Sequence, residues 1–169
     1  SSTGGLTLSA APGYGGVTVT GGSGAETITV STGNVNVSGG AGNDTLTTAA
    51  TWNGYDVFDG GDGHDTLAIS SAFEPLNTGA TSANTIVAGL SNVEELLVTG
   101  TTTVSFDKNM GSLTTIDIKD TGNQTVNLND GYTGATTIQM GSTTAANGQA
   151  VDKVVNTANV DLSIYARIS

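Results

Sequence analysis

The sequence predicts an all-β fold, a right-handed parallel β-roll running into an irregular parallel β-helix as one solenoid. Three observations carry that expectation. A glycine-rich nine-residue pattern recurs over residues 12–68, and short stretches of alternating apolar and polar residues continue beyond it. Only eight of the 169 residues are aromatic, while glycine, threonine, serine, alanine and asparagine dominate. Small side chains suit a narrow solenoid interior and do not fill a compact globular core.

The nine-residue pattern is clearest in three copies. Gly21-Gly22-Ser23-Gly24-Ala25-Glu26-Thr27-Ile28-Thr29 is followed 18 residues later by Gly39-Gly40-Ala41-Gly42-Asn43-Asp44-Thr45-Leu46-Thr47. The third copy, 21 residues further on, is Gly60-Gly61-Asp62-Gly63-His64-Asp65-Thr66-Leu67-Ala68. Weaker frames start at Pro12, Val30 and Thr51, with three extra residues absorbed at Thr48-Ala49-Ala50. The fourth position is glycine in every frame (Gly15, Gly24, Gly33, Gly42, Gly54, Gly63), and the eighth is apolar (Val19, Ile28, Val37, Leu46, Phe58, Leu67). A short strand around positions six to nine points its eighth side chain inward, and the glycines turn the chain through backbone angles closed to most residues.

The sixth position divides by parity. Alternate frames place Glu26, Asp44 and Asp65 there, and the frames between place Val17, Val35 and Asp56. Two nonapeptides make one coil, and coils stack about 4.8 Å apart, so the loops at 21–26, 39–44 and 60–65 form one file. Stacked carboxylates repel unless a cation lies between them. Residues 1–106 hold nine carboxylates and no lysine or arginine, within a chain of net charge −11, so no basic side chain is at hand to do this. Calcium fits: it is a hard ion that takes six to eight oxygens, and tight glycine turns present carbonyls beside each carboxylate. Zinc fits poorly, because His64 is the single histidine and cysteine is absent. The candidate ligands are Glu26, Asp44, Asp65 and Asp62, with backbone groups of Gly22, Gly24, Gly40, Gly42, Gly61 and Gly63. Asp56 and Asp59 are secondary candidates, and His64 is read as an exposed loop residue.

Residues 12–68 resemble the repeat-in-toxin (RTX) family, whose signature is Gly-Gly-x-Gly-x-Asp-x-apolar-x. The resemblance implies an ion between neighbouring loops, held by sixth-position carboxylates and loop carbonyls. It carries over to Asp44 and Asp65 directly, whereas Glu26 departs from the family's aspartate. The opposite edge has lost its glycine pairs and two of its three acids, so calcium is expected on one edge only.

From Phe73 onward the glycine motif gives way to strands with longer spacing. Leu96, Ile116, Ile138 and Val160 recur at offsets of 20, 22 and 22. Around them lie alternating stretches such as Thr115-Ile116-Asp117-Ile118 and Val160-Asp161-Leu162-Ser163-Ile164, bounded by turn residues at Asn129-Asp130-Gly131 and Asn147-Gly148. The expected organisation is an RTX-like roll over 1–72, a loop over 73–85 and an irregular β-helix over 86–169 continuous with the roll. Short helical turns are possible at 86–92 or 107–113. Glycine-rich coils lose the most backbone entropy on folding and bury little, so bound ions must supply folding energy there. The later coils carry more isoleucine, leucine and valine and need no metal.

The sequence also limits function. Phosphate binding needs a basic face, so nucleic acid is not an expected partner. No apolar run is long enough for membrane insertion, and the absence of cysteine excludes disulfides. The nonapeptides, a linker, then Gly89-Leu90-Ser91-Asn92-Val93-Glu94-Glu95-Leu96-Leu97-Val98-Thr99-Gly100 and threonine-rich strands resemble calcium-dependent surface-layer (S-layer) proteins of Gram-negative bacteria, of the Caulobacter type. That resemblance implies type I secretion, a cell-surface location and a structural role in a two-dimensional lattice of copies or neighbouring domains. Two alternatives stay open: a calcium-folding module of a secreted RTX adhesin or toxin, and a carbohydrate-acting β-helix enzyme. The enzyme reading has only Asp117, Asp120, Asp130 and Asp161 for acid–base chemistry, with no basic cluster around them, so no catalytic activity is expected.

Overall fold

The computed structural model describes residues 6–8, 16–30, 34–48, 56–70, 89–99, 103–106, 112–119, 125–128, 137–140, 153–156 and 163–166. Among them the roll contributes β1 (Leu6–Leu8), β2 (Val17–Thr20), β3 (Thr27–Val30), β4 (Val35–Ala41), β5 (Thr45–Thr48), β6 (Val57–Asp62) and β7 (Thr66–Ser70). The later coils contribute β8 (Leu90–Ser91), β9 (Glu95–Thr99), β10 (Thr103–Phe106), β11 (Thr115–Lys119), β12 (Thr125–Leu128), β13 (Thr137–Met140), β14 (Lys153–Asn156) and β15 (Ser163–Ala166). No described residue is helical; Gly89 lies in a turn and Leu90–Ser91 pair as a strand, while 86–88 and 107–111 lie outside the described residues.

Successive strands alternate between sheets, as a solenoid requires. Every odd-numbered strand joins one sheet in the order β1-β3-β5-β7-β9-β11-β13-β15. The even strands form a second sheet, β2-β4-β6-β8, and then a third, β10-β12-β14. All the pairings are parallel. One register line crosses the long sheet through Leu6, Ile28, Leu46, Leu67, Leu96, Ile116, Ile138 and Ile164. The residues expected to point inward from the nonapeptides do so: Val19, Ile28, Val37, Leu46, Phe58 and Leu67 are all buried. The core continues through Val98, Ile118, Leu128 and Met140.

Two details of register differ from expectation. The last strand pairs through Ile164, not Val160, opposite Ile138. Val160, Leu162 and Ile164 share one parity, so alternation alone does not select among them; pairing does. On the acid side the strands begin at the seventh frame position, and the tenth position points inward as well, with Val30, Thr48 and Ile69 all buried. Gly15, Gly33, Gly54, Asn129-Asp130-Gly131, Asn147-Gly148 and the 73–85 loop lie outside the described residues.

The corner after β8 is built differently from those before it. Phe58 pairs Leu90 and Asp59 pairs Ser91, 32 residues apart, yet Thr66 pairs Glu95, only 29 apart. Three residues are therefore missing from this corner. Asn92 turns it with φ 51°, in the left-handed region that short polar side chains tolerate, and Val93 is buried in the interior. The next coil repeats the short corner with Ser112-Leu113: the Ser112 hydroxyl accepts from Val93 N–H (2.7 Å) and donates to the Val93 carbonyl (2.8 Å).

Candidate metal centre

Strand alternation puts the sixth frame position on the same side as the eighth, toward the interior. Glu26, Asp44 and Asp65 are accordingly buried, at 7 %, 1 % and 0 % exposure. Buried carboxylates must find donors, and the stacked coils provide one to each aspartate. Asp44 Oδ1 accepts from Glu26 N–H (2.8 Å), and Asp65 Oδ1 accepts from Asp44 N–H (2.7 Å). The carbonyls of the same residues accept from the next coil, Thr45 N–H to Glu26 O and Thr66 N–H to Asp44 O, both at 2.9 Å. Each acid residue is thereby tied to the coil that follows, and Asp44 and Asp65 also to the coil before.

Four of the six carboxylate oxygens in this file are left over. Asp44 Oδ2, Asp65 Oδ2 and both Glu26 carboxylate oxygens are buried without a hydrogen-bond partner. Burial, opposed by the hydrogen bond from Asp44 N–H, pushes the Asp65 carboxyl above its ordinary value; the charges of Asp44 and Glu94 raise it further, and His64 pulls it down. A file of this kind is incomplete on its own. Hard, anionic, unpartnered oxygens at short stacking distance are the donor set a divalent cation such as calcium needs.

The glycines make room for that arrangement. A Cβ on Gly60 would fall 2.5 Å from Asp65 Oδ2, and one on Gly39 would overlap Asp44 Oδ2, so the first glycine lets each acid fold back over its own loop. Gly40, Gly42, Gly61 and Gly63 hold φ of 106°, 120°, 99° and 142°, open to glycine and few other residues. Gly22 and Gly24 are not in that region, so the first loop turns by a different path. The Gly22 carbonyl already accepts from Ala41 N–H (2.9 Å), and Gly42 N–H donates to the Asp62 carbonyl (2.8 Å).

The remaining candidates separate. Asp62 and His64 are exposed on the third loop. Asp59 accepts from the Asn92 side chain (2.8 Å) and so braces the short corner. Asp56, on the opposite edge, is buried and accepts from Val35 N–H (2.8 Å), the same bond its counterparts make on the acid edge. It is not among the residues with a buried unpartnered oxygen. Val35 fills the interior at that edge in place of an acid. Among the described residues no three histidine, aspartate or glutamate side chains converge on one point. Asp117 is buried on β11 and pairs with Lys119 at 3.4 Å; Asp120, Asp130 and Asp161 lie outside the described residues.

Residues 20–50 and 53–68 match the RTX calcium-binding nonapeptide repeat, in four copies. The acid edge is built on RTX repeats. No curated protein and no solved structure matches the chain. The RTX match stops at residue 68, but the file of acids does not. Glu94 takes the next sixth position, and its Oε2 accepts from Asp65 N–H (2.8 Å). Sequence reasoning missed this residue because it followed the glycines. The signal was the run Glu94-Glu95-Leu96-Leu97-Val98 set against Asp65-Thr66-Leu67-Ala68-Ile69, an acid followed by apolar residues at the same two positions.

Proposed function

We propose that this chain is a calcium-folding structural module of a secreted bacterial protein, with calcium held along the Glu26–Asp44–Asp65 edge. The observation that carries the reading is the set of buried carboxylate oxygens with no partner within RTX repeats. When bound, calcium supplies the positive charge that those oxygens lack. The chain's own part is to hold the carboxylates by backbone N–H groups, present the carbonyls of Gly22, Gly24, Gly40, Gly42, Gly61 and Gly63, and exclude competing lysine or arginine. Extracellular calcium modules bind at about 10⁻⁴–10⁻³ M, so the RTX coils stay unfolded at cytosolic calcium and suit type I export. No helix among the described residues is long and apolar enough to cross a membrane.

Within that reading we assign the module to a surface-layer lattice, on the resemblance carried by Gly89–Gly100 and the threonine-rich strands after it. The role is structural and not enzymatic; Asp117, the one acid–base candidate in the described residues, is tied to Lys119. A calcium titration followed by far-UV circular dichroism tests the module: strand signal should rise cooperatively with calcium and fall with chelator. Electron microscopy of the parent protein tests the lattice. Sheets that form only with calcium support it, and a dispersed, calcium-loaded protein returns the reading to a secreted RTX adhesin or toxin.

A further inference from the structure

We propose that the acid edge holds one more divalent-cation site beyond the nonapeptides, between the Gly60–Asp65 loop and the Asn92–Glu94 corner, with Glu94 as a ligand. The inference rests on the calcium reading above and extends it to a coil outside the RTX match. Glu94 occupies the sixth position of that coil, since Glu95 pairs with Thr66 one residue along. Its Oε2 receives Asp65 N–H at 2.8 Å, the bond that Asp65 makes to Asp44 and Asp44 makes to Glu26. The carboxylate ladder therefore passes from RTX coils to a short-corner coil unchanged in kind.

Asp65 supplies the independent sign of a ligand. It is fully buried, and its Oδ2 has no partner. That oxygen faces Gly60, where an added Cβ would meet both it and the Asn92 carbonyl. In the loop before, a Cβ on Gly39 would likewise meet Asp44 Oδ2 and, at 2.5 Å, the Gly60 carbonyl. Asn92 thus stands in the place of the first glycine of a nonapeptide, offering its carbonyl to the same space. An unpartnered aspartate oxygen, a carbonyl and a second carboxylate make a hard-oxygen set that suits calcium or a similar divalent ion. The file stops one coil later, where Thr114 takes the sixth position and its hydroxyl donates to the Glu94 carbonyl (3.2 Å).

The test uses the full chain and calcium alone, counting ions by native mass spectrometry and by calorimetry. Glutamine at 94 keeps an oxygen for Asp65 N–H and removes only the charge, so Glu94→Gln separates a ligand from a brace. It should lose one bound ion per chain while the Asp65 amide stays protected from hydrogen exchange in calcium. Glu95→Gln, the same charge change on the outward side of β9, should bind as many ions as the unmodified chain. An unchanged ion count in Glu94→Gln overturns the proposal, as does loss of the ion together with Asp65 protection, which marks Glu94 as a brace. If the unmodified chain binds no calcium, the calcium reading fails, and this site with it.

Discussion

The corners on either side of Asn92 solve one problem in two ways. At Gly60–Asp65 four residues separate the turn's first glycine from the acid, and the interior at the corner is lined by carboxylate. At Asn92–Glu94 a single residue, Val93, does the same job and fills the corner itself; Leu113 repeats this one coil on. A solenoid corner has to be closed by something, because unpaired polar groups in the interior are costly. An apolar side chain closes it permanently, whereas an open carboxylate corner waits for an ion. On the proposed reading calcium dependence follows from corner length, and the last cation site is shared by the final long corner and the first short one.

Removing calcium should break the comparison most visibly. With a chelator in excess, amides of β3, β5 and β7 should lose their protection in hydrogen exchange, while those of β11 and β13 keep most of theirs. The measurement is residue-level exchange with and without calcium. Uniform loss across the long sheet would mean that the short corners do not stand alone.

The next effect compares the two edges within the roll. Asp44 and Asp56 accept equivalent backbone N–H bonds, from Glu26 and Val35, and only Asp44 has a buried oxygen without a partner. Asparagine preserves an accepting oxygen at either place. Asp44→Asn should raise the calcium midpoint of folding roughly tenfold, equivalent to about 1.4 kcal/mol, since its loop is the middle one of the nonapeptide file. Asp56→Asn should leave that midpoint close to that of the unmodified chain. Equal shifts in the two titrations would mean that both edges bind ions.

Truncation at a short corner sharpens the contrast from the other side. Leu113→Ala removes a buried side chain and should destabilise by about 2–5 kcal/mol. That loss belongs to the later coils and should be the same in calcium and in chelator when followed by urea unfolding at β11. A loss that calcium repairs would place metal where the corner is apolar.

Much of this is legible in the sequence. The eighth-position residues announce the core because glycine turns and period-two strands leave little freedom in register, and parity of Glu26, Asp44 and Asp65 announces one acid edge. What the sequence hid has physical reasons. Glu94 lies at the sixth position but without glycines, because Asn92 and Val93 turn the corner by a shorter route that no nine-residue ruler detects. Asp56 reads as a secondary ligand candidate, and the sequence does not show that its carboxylate holds Val35 N–H. The choice of Ile164 over Val160 depends on how much chain lies between strands, which alternation does not measure.

The smallest expected effect concerns pH, and it runs in opposite directions with and without calcium. Asp65 in the folded chain titrates above its unfolded value of 3.8, because burial and the charges of Asp44 and Glu94 disfavour its ionised form. The folded state therefore holds that proton more tightly than the unfolded state. Its contribution to stability is fully present below 3.8 and is lost as pH rises through the raised folded value. In chelator, acidification should restore part of the strand signal. In calcium, the same acidification removes the charge that the ion needs, so the signal should fall. Asp65→Asn isolates the residue from the general relief of a net charge of −11: it is permanently neutral, so it should be more folded than the unmodified chain in chelator near neutral pH and gain less on acidification. Circular dichroism across a pH series in both conditions measures the crossing, and parallel curves with and without calcium would rule out Asp65 as the group that links them.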